Sequence, residues 1–278
     1  MLDSNKPSIL ITGCSSGIGA ALAMELAGRG ERVIATARRP ETLDSLAALG
    51  CECLKLDVTD PDSVREAVAA AESTGPIGIL VNNAGYGQMG ATLDTDSEQL
   101  RKQFEANVVG AMNMVRAVTP GMMARRAGLV VNVGSISAVL TTPFAGPYCA
   151  SKAALHALND SLRMELAPWG IRVMLVRPGG VQSRFGENVV SQLAMPEGSP
   201  YAALSEGILK RAQSSQQGSA DAESVARRIA DAMLSVDPPA LLACGRGGYR
   251  YPLLKRLLPT AVLDKLLKKR FGLADFEP

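Results

Sequence analysis

Ser8-Ile9-Leu10-Ile11-Thr12-Gly13-Cys14-Ser15-Ser16-Gly17-Ile18-Gly19 runs from a short apolar segment straight into a glycine-rich turn. Helical patterning follows from Ala20 to Ala27 and stops at Gly28 and Gly30. A brief run of β-branched and other apolar residues with no polar alternation predicts a strand buried on both faces. Strand, glycine turn and helix start in that order form an anion site, because unpaired backbone N–H groups and the helix dipole point at the ligand. The spacing is Gly-x-x-x-Gly-x-Gly, not the commoner Gly-x-Gly-x-x-Gly of dinucleotide folds.

Working outward, Arg32 to Thr36 reads as the second strand. In dinucleotide folds the end of this strand meets the adenosine ribose, where an acid would hold the 2′-hydroxyl and an arginine would suit a 2′-phosphate. Here no carboxylate follows Thr36 and Ala37, whereas Arg38 and Arg39 do. NADP(H) is expected over NAD(H). A helix is expected from Glu41 to Leu49 and a third strand from Cys51 to Leu56. Asp57 at that strand's carboxyl end should lie near the adenine, and Asp60-Pro61 is an ordinary helix start. The fourth strand, Ile77 to Val81, ends in Asn82-Asn83-Ala84-Gly85, where asparagines can tie strand ends together and Gly85 lets backbone approach a ligand.

Further along, Leu129 to Val133 reads as a strand that delivers Ser135, and a loop broken by Pro143, Gly146 and Pro147 leads Tyr148 into a helix. Tyr148 and Lys152 stand four apart and share a helix face. A phenol with an ordinary pKa of about 10 is a poor acid or base at neutrality. A nearby ammonium favours the phenolate and draws that pKa toward the working range. With the Ser135 hydroxyl opposite, the three groups read as a proton-transfer site. Asn107 sits mid-way in a long helical pattern from Ser97 to Arg125; beside Tyr148 and Lys152 it reads as the holder of a water on a proton path. His156, one turn beyond Lys152 and the single histidine, reads as a satisfied core or interface histidine. A second Tyr-x-x-x-Lys, Tyr251 to Lys255, has a proline inside it and no serine on a preceding strand, so it too reads as packing.

A sixth strand is expected from Ile171 to Val176, a helix from Asp221 to Leu234 and a last strand from Ala240 to Cys244. Strand and helix alternate throughout, so a doubly wound, Rossmann-type parallel sheet of about seven strands in a single α/β domain is predicted, with helices on both faces. The chain has 278 residues, 47% of them hydrophobic, enough for a sizeable core. A net charge of +2 without a basic stripe argues against nucleic acid as a partner. Five scattered cysteines with no metal spacing read as free thiols in a reducing compartment, and a metal site is not expected. No apolar leader stands at the N-terminus, so the expected location is cytoplasmic.

Taken together, these motifs resemble those of the classical short-chain dehydrogenase/reductases over roughly residues 8 to 185. Thr12-Gly13-Cys14-Ser15-Ser16-Gly17-Ile18-Gly19 is similar to that family's T-G-x-x-x-G-x-G, and Asn82-Asn83-Ala84-Gly85 to its N-N-A-G. Asn107, Ser135, Tyr148 and Lys152 match its catalytic tetrad, and Pro178-Gly179 its proline-glycine turn. The resemblance implies that Lys152 holds the nicotinamide ribose and lowers the pKa of Tyr148. Tyr148 would exchange a proton with the substrate oxygen, Ser135 would polarise that oxygen, and Asn107 would hold a water. It also implies cofactor contacts from Ser15, Ser16, Ile18, Val58, Ala84, Val181 and Ser183, the last standing where many members have threonine. Within the family, Ile34 to Arg39 and the basic tail are similar to the 17β-hydroxysteroid-dehydrogenase-like group, which also includes retinol dehydrogenases and acyl-dihydroxyacetone-phosphate reductases.

Residues 181–218 lose periodicity and read as a substrate-covering insertion beside the nicotinamide. Phe185 in it, together with Leu140 and Phe144, suggests a lipophilic ketone or secondary alcohol. Residues 250–278 read as an amphipathic helical tail that packs over the pocket or a subunit partner, or else lies on an anionic membrane surface. A homodimer or homotetramer is expected. The reading is therefore an NADPH-dependent carbonyl reductase. The alternatives are a silent NADP-binding scaffold, which loss of the tetrad would have marked, and a nucleotide-sugar epimerase, whose usual G-x-x-G-x-x-G is missing.

Overall fold

The computed structural model describes residues 6–182, 193, 195–214 and 218–277. Among them seven strands form one parallel sheet in the order β3-β2-β1-β4-β5-β6-β7: β1 Ser8–Ile11, β2 Val33–Ala37, β3 Glu52–Lys55, β4 Ile77–Asn82, β5 Gly128–Val133, β6 Ile171–Pro178 and β7 Leu241–Cys244. The helices between them are α1 Gly17–Gly28, α2 Asp44–Ala47, α3 Pro61–Ser73, α4 Ser97–Phe104, α5 Gly110–Arg125, α6 Gly146–Leu166, α7 Ser205–Gln213 and α8 Ala222–Met233, with α9 Arg250–Leu257 and α10 Thr260–Arg270 after β7.

Alternation along each central strand splits the core in two. Ile9, Ile11, Val33 and Ala35 face α1 and α8. Leu10, Ile34, Leu80 and Val130 face the other way, onto α3 and α5. All of these are 0–3% exposed, which is why the strands read as continuous apolar runs. The chain reverses its winding between β3 and β4, so the carboxyl ends of β1 and β4 flank the crevice where doubly wound sheets bind ligands.

One local expectation is corrected and two are refined. Instead of one helix from Glu41 to Leu49, a 3-10 turn at Pro40–Leu43 passes into the single-turn α2, because Leu43 and Leu46 are the residues that reach the core. The Ser97–Arg125 pattern is interrupted by a π-helical turn, Glu105–Val109, with Asn107 inside it. The tail is two helices, broken where Leu258 turns extended (ψ 136) ahead of Pro259, as the residue before proline prefers.

Candidate active site

The glycine turn is held in place from β4. The Thr12 hydroxyl accepts the Asn83 and Ala84 backbone N–H groups at 3.0 and 2.9 Å. The Asn83 amide returns two bonds, to the Thr12 and Gly13 carbonyls at 2.9 and 3.0 Å. Gly13 has φ +74°, and a Cβ there would stand 2.9 Å from the Ala84 Cα, so both conformation and space demand glycine. Helix α1 begins directly behind the turn and has no acidic side chain in its first turn, leaving its dipole uncompensated.

In front of the turn lies a cavity of about 970 Å³. Gly13, Ser15, Ser16, Gly17 and Ile18 form one end, with Arg38 from the end of β2 and Asp57 and Val58 after β3. Asn83, Ala84 and Gly85 form its middle, and Pro178, Gly179 and Val181 approach from β6. Arg39 and Gly19 are not on its wall; an added Cβ at Gly19 would run into the Asn83 amide and the Gly13 carbonyl, so that glycine serves the packing of the turn. Asp57 is partly engaged, accepting the Thr59 N–H at 3.0 Å and its hydroxyl at 2.8 Å. An uncapped helix start, a turn with no room for a side chain and an arginine at the β2 end fit a phosphorylated dinucleotide.

Ser135, Tyr148 and Lys152 meet on the floor of the same cavity, each less than 9% exposed. Tyr148 enters in the first turn of α6, behind Gly146 and Pro147, where proline is tolerated. The Ser135 hydroxyl hydrogen-bonds to the Tyr148 phenol and accepts the Ser137 N–H at 3.0 Å. The Lys152 ammonium donates to the Val133 carbonyl at the end of β5, at 2.8 Å, and burial brings its pKa down from 10.5 to about 8. For the phenol, burial prevails and raises the pKa above its ordinary 10, opposite to the direction expected from the sequence; Ser135 and then the Arg211 charge act to lower it.

Asn107 is fixed by the Tyr86 peptide, accepting its N–H and donating to its carbonyl, both at 3.0 Å, and donates to the Ser151 hydroxyl at 3.1 Å. The Ser151 hydroxyl in turn donates to the Tyr148 carbonyl at 2.9 Å, so the π turn is joined to α6 directly beneath the phenol. Asn82 does tie strand ends together: its amide donates to Asn132 at 2.9 Å, and Asn132 to Asn159 on α6 at 3.0 Å. His156 is hydrogen-bonded within the fold. Its Nε2 accepts the Ser135 N–H at 3.3 Å, which requires a neutral ring, and burial accordingly lowers its pKa to about 4.

Of the expected substrate residues, Leu140 lines the cavity. Phe144 is instead buried among Leu204, Ile208 and Phe271, at φ +62°, and is not on the cavity wall. Phe185 and Ser183 lie outside the described residues. The tail closes the far side: Tyr251, Leu254, Leu263, Leu266, Leu267 and Phe271 line the cavity, and Lys255 donates to the Val139 carbonyl. Thus the second Tyr-x-x-x-Lys forms part of the cavity roof. Sequence reasoning missed Arg211 altogether. It lies on α7, is 6% exposed, and lines the cavity beside Tyr148.

A short chain dehydrogenase family profile matches residues 7–194. The uncharacterized oxidoreductase YbbO of Escherichia coli K12 is 36% identical over 267 residues, spanning 95% of this chain and 94% of that protein. An NADPH-dependent 1-acyldihydroxyacetone phosphate reductase of Schizosaccharomyces pombe is 40% identical over 199 residues, 69% of this chain and 67% of that one. Among solved structures, a short-chain dehydrogenase from Streptomyces avermitilis superposes with a TM-score of 0.79 at 33% identity, covering 98% of this chain and all of that one. Two at 25% identity come from Burkholderia cenocepacia in complex with NADP (TM-score 0.73, 95% and 99% covered) and Burkholderia phymatum in complex with NAD (TM-score 0.75, 100% and 99% covered). Fold, glycine turn and shared sequence agree: this chain belongs to the short-chain dehydrogenase family of oxidoreductases.

Proposed function

We propose that the protein is an NADPH-dependent carbonyl reductase, working reversibly on a lipophilic ketone or secondary alcohol of steroid, retinoid or acyl type. The observation that carries this reading is the Ser135 to Tyr148 hydrogen bond on the floor of a cavity whose other end is the glycine turn. A substrate oxygen seated between those two hydroxyls would be polarised by Ser135 and protonated by Tyr148 during reduction. Lys152, buried one helical turn away, would hold the ribose hydroxyls and stabilise negative charge on the phenol. His156 and Ser137 hold Ser135 from behind, and Asn107 fixes the backbone that faces Lys152. When bound, the nicotinamide supplies or accepts the hydride.

NADP(H) over NAD(H) rests on Arg38 at the end of β2, and the NADPH dependence of the yeast reductase agrees with it. The apolar cavity wall formed by the tail, together with that relative's acyl substrate, favours a lipophilic substrate near the acyl-dihydroxyacetone-phosphate reductases. The half-exposed Leu253 and Leu257, beside Lys255 and Arg256, suit peripheral contact with an anionic membrane surface. The test is Tyr148→Phe, assayed for NADPH oxidation against a panel of ketosteroids, retinal and acyl-dihydroxyacetone phosphate. At least a 1,000-fold loss of kcat/KM is expected, with NADPH affinity kept within about threefold, since general acid catalysis is worth roughly 10²–10⁴. Undiminished turnover by the variant would refute the assignment, and NADPH binding without any turnover in the wild type would favour a scaffold.

A further inference from the structure

Arg211 is a charge without a counter-charge. Its Nε donates to the Thr142 hydroxyl and its Nη1 to the Ser214 hydroxyl at 3.1 Å, both neutral partners. The Cys149 thiol and the Tyr148 phenol lie beside it, and a second cation, Arg270, acts on it from the tail. Among the described residues no carboxylate pairs with it. The acidic side chains on the described cavity wall are Asp57, near the Arg38 end, and Glu105 in the π turn, and neither reaches Arg211. A guanidinium held 94% out of solvent and unpaired is costly, and proteins keep such groups where an anion completes them. Arg211, Thr142 and Ser214 all open onto the cavity wall, so the polar corner is available from the cavity. Planar, five-donor arginine is suited to bidentate recognition of carboxylate or phosphate.

We infer that Arg211, with the Thr142 and Ser214 hydroxyls, is the subsite for an anionic group of the substrate, a carboxylate or a phosphate, carried close to the reacting carbonyl. This rests on the carbonyl-reductase reading and narrows it: the substrate is an amphiphile with its carbonyl oxygen at Ser135 and Tyr148, its anion at Arg211, and its apolar remainder against Leu254, Leu263 and Leu266. The subsite is separate from the one expected for the cofactor phosphate, since Arg211 and Arg38 stand on α7 and at the end of β2.

The test is calorimetric and needs no turnover. Protein saturated with NADP+ is titrated with octanoate, octyl phosphate and octanamide, which match in chain length and differ in charge. The wild type should bind one of the anions at least tenfold tighter than the amide, and the preferred anion identifies carboxylate or phosphate. In Arg211→Met that ratio should fall to about two or less while the amide affinity is kept; Arg211→Lys should retain part of the preference. Equal binding of anions and amide by the wild type overturns the inference, as does an anion preference that survives Arg211→Met. If Arg211→Met fails to fold, the wild-type ratio and the Lys variant decide. An anion preference in a protein that oxidises no NADPH with any ketone would leave this subsite standing and remove the redox reading.

Discussion

Lys152→Met should make the protein more stable and destroy its activity. The ammonium lies at 6% exposure with one hydrogen bond, to the Val133 carbonyl. Burial lowers its pKa from 10.5 to about 8. At about 1.36 kcal/mol per pH unit, a drop of that size means the charged side chain costs the folded state roughly 3 kcal/mol at neutrality. Methionine matches the stem in length and removes the charge. It also leaves the Val133 carbonyl without a donor, a penalty of about 1–2 kcal/mol. The net gain is about 1–2 kcal/mol, a rise in Tm of roughly 2–5 °C for a chain of this size.

The pH dependence makes the prediction specific. Between about pH 8 and 10.5 the unfolded chain still carries the Lys152 proton and the folded one has shed it. In that window wild-type stability rises with pH relative to the variant. The variant's advantage should therefore be greatest below pH 8, fall to nothing at about pH 9.5 and reverse toward pH 10.5, where only the lost Val133 hydrogen bond remains. Urea unfolding of both proteins from pH 6.5 to 10, with NADPH oxidation assayed in parallel, checks this. A variant less stable than wild type by more than 1 kcal/mol, with a gap that ignores pH, would refute the reasoning.

Two other outcomes follow from single side chains. Arg38→Asp should swing the NADPH to NADH ratio of kcat/KM by at least tenfold toward NADH, because a carboxylate there repels a 2′-phosphate and accepts from a ribose hydroxyl; steady-state assays with both cofactors read this directly. The folded pKa of His156, about 4, lies below its ordinary 6.5, so its neutral-state contribution is complete above about pH 6.5 and is lost as pH falls toward 4. Since the ring retains some solvent contact, the full 3 kcal/mol is reduced to roughly 1–2 kcal/mol. Between pH 7 and 4.5 the wild type should lose that much more urea stability than His156→Gln, whose amide oxygen can still accept the Ser135 N–H.

The parts of the site legible in the sequence are those whose chemistry is local. Gly13 needs a positive φ, and Tyr148 and Lys152 are one helical turn apart. The continuous apolar runs likewise place the seven strands to within a residue or two of their ends. What was not legible depends on elements that meet only after folding. Asn132 and Asn159 read as ordinary polar residues until the β4–β5 register and α6 bring them into one chain of amides. The π turn at Asn107 has no periodic signal, because its extra residue is absorbed within a continuous helix. Phe144, apolar and in the loop before Tyr148, reads as facing a lipophilic substrate; with its positive φ it packs instead against Leu204, Ile208 and the tail's Phe271.

Arg211 has the largest consequence of these. A lone arginine on a short amphipathic helix ordinarily reads as a solvated face, and no local pattern separates it from its neighbour Lys210. Only the fold turns one of them inward, to a place beside the phenol. There the cavity floor holds two buried cations, Lys152 and Arg211, and no carboxylate pairs with either among the described residues. Arg211 opposes the rise that burial imposes on Tyr148, and the two cations favour any second negative charge brought in by a substrate. An anion seated at Arg211 would cancel part of the field, raising the phenol pKa at the moment it must act as an acid. Reduction, in which a weaker acid must give up its proton, and oxidation, in which Tyr148 must first be phenolate, would then both be slowed by the loss of that field.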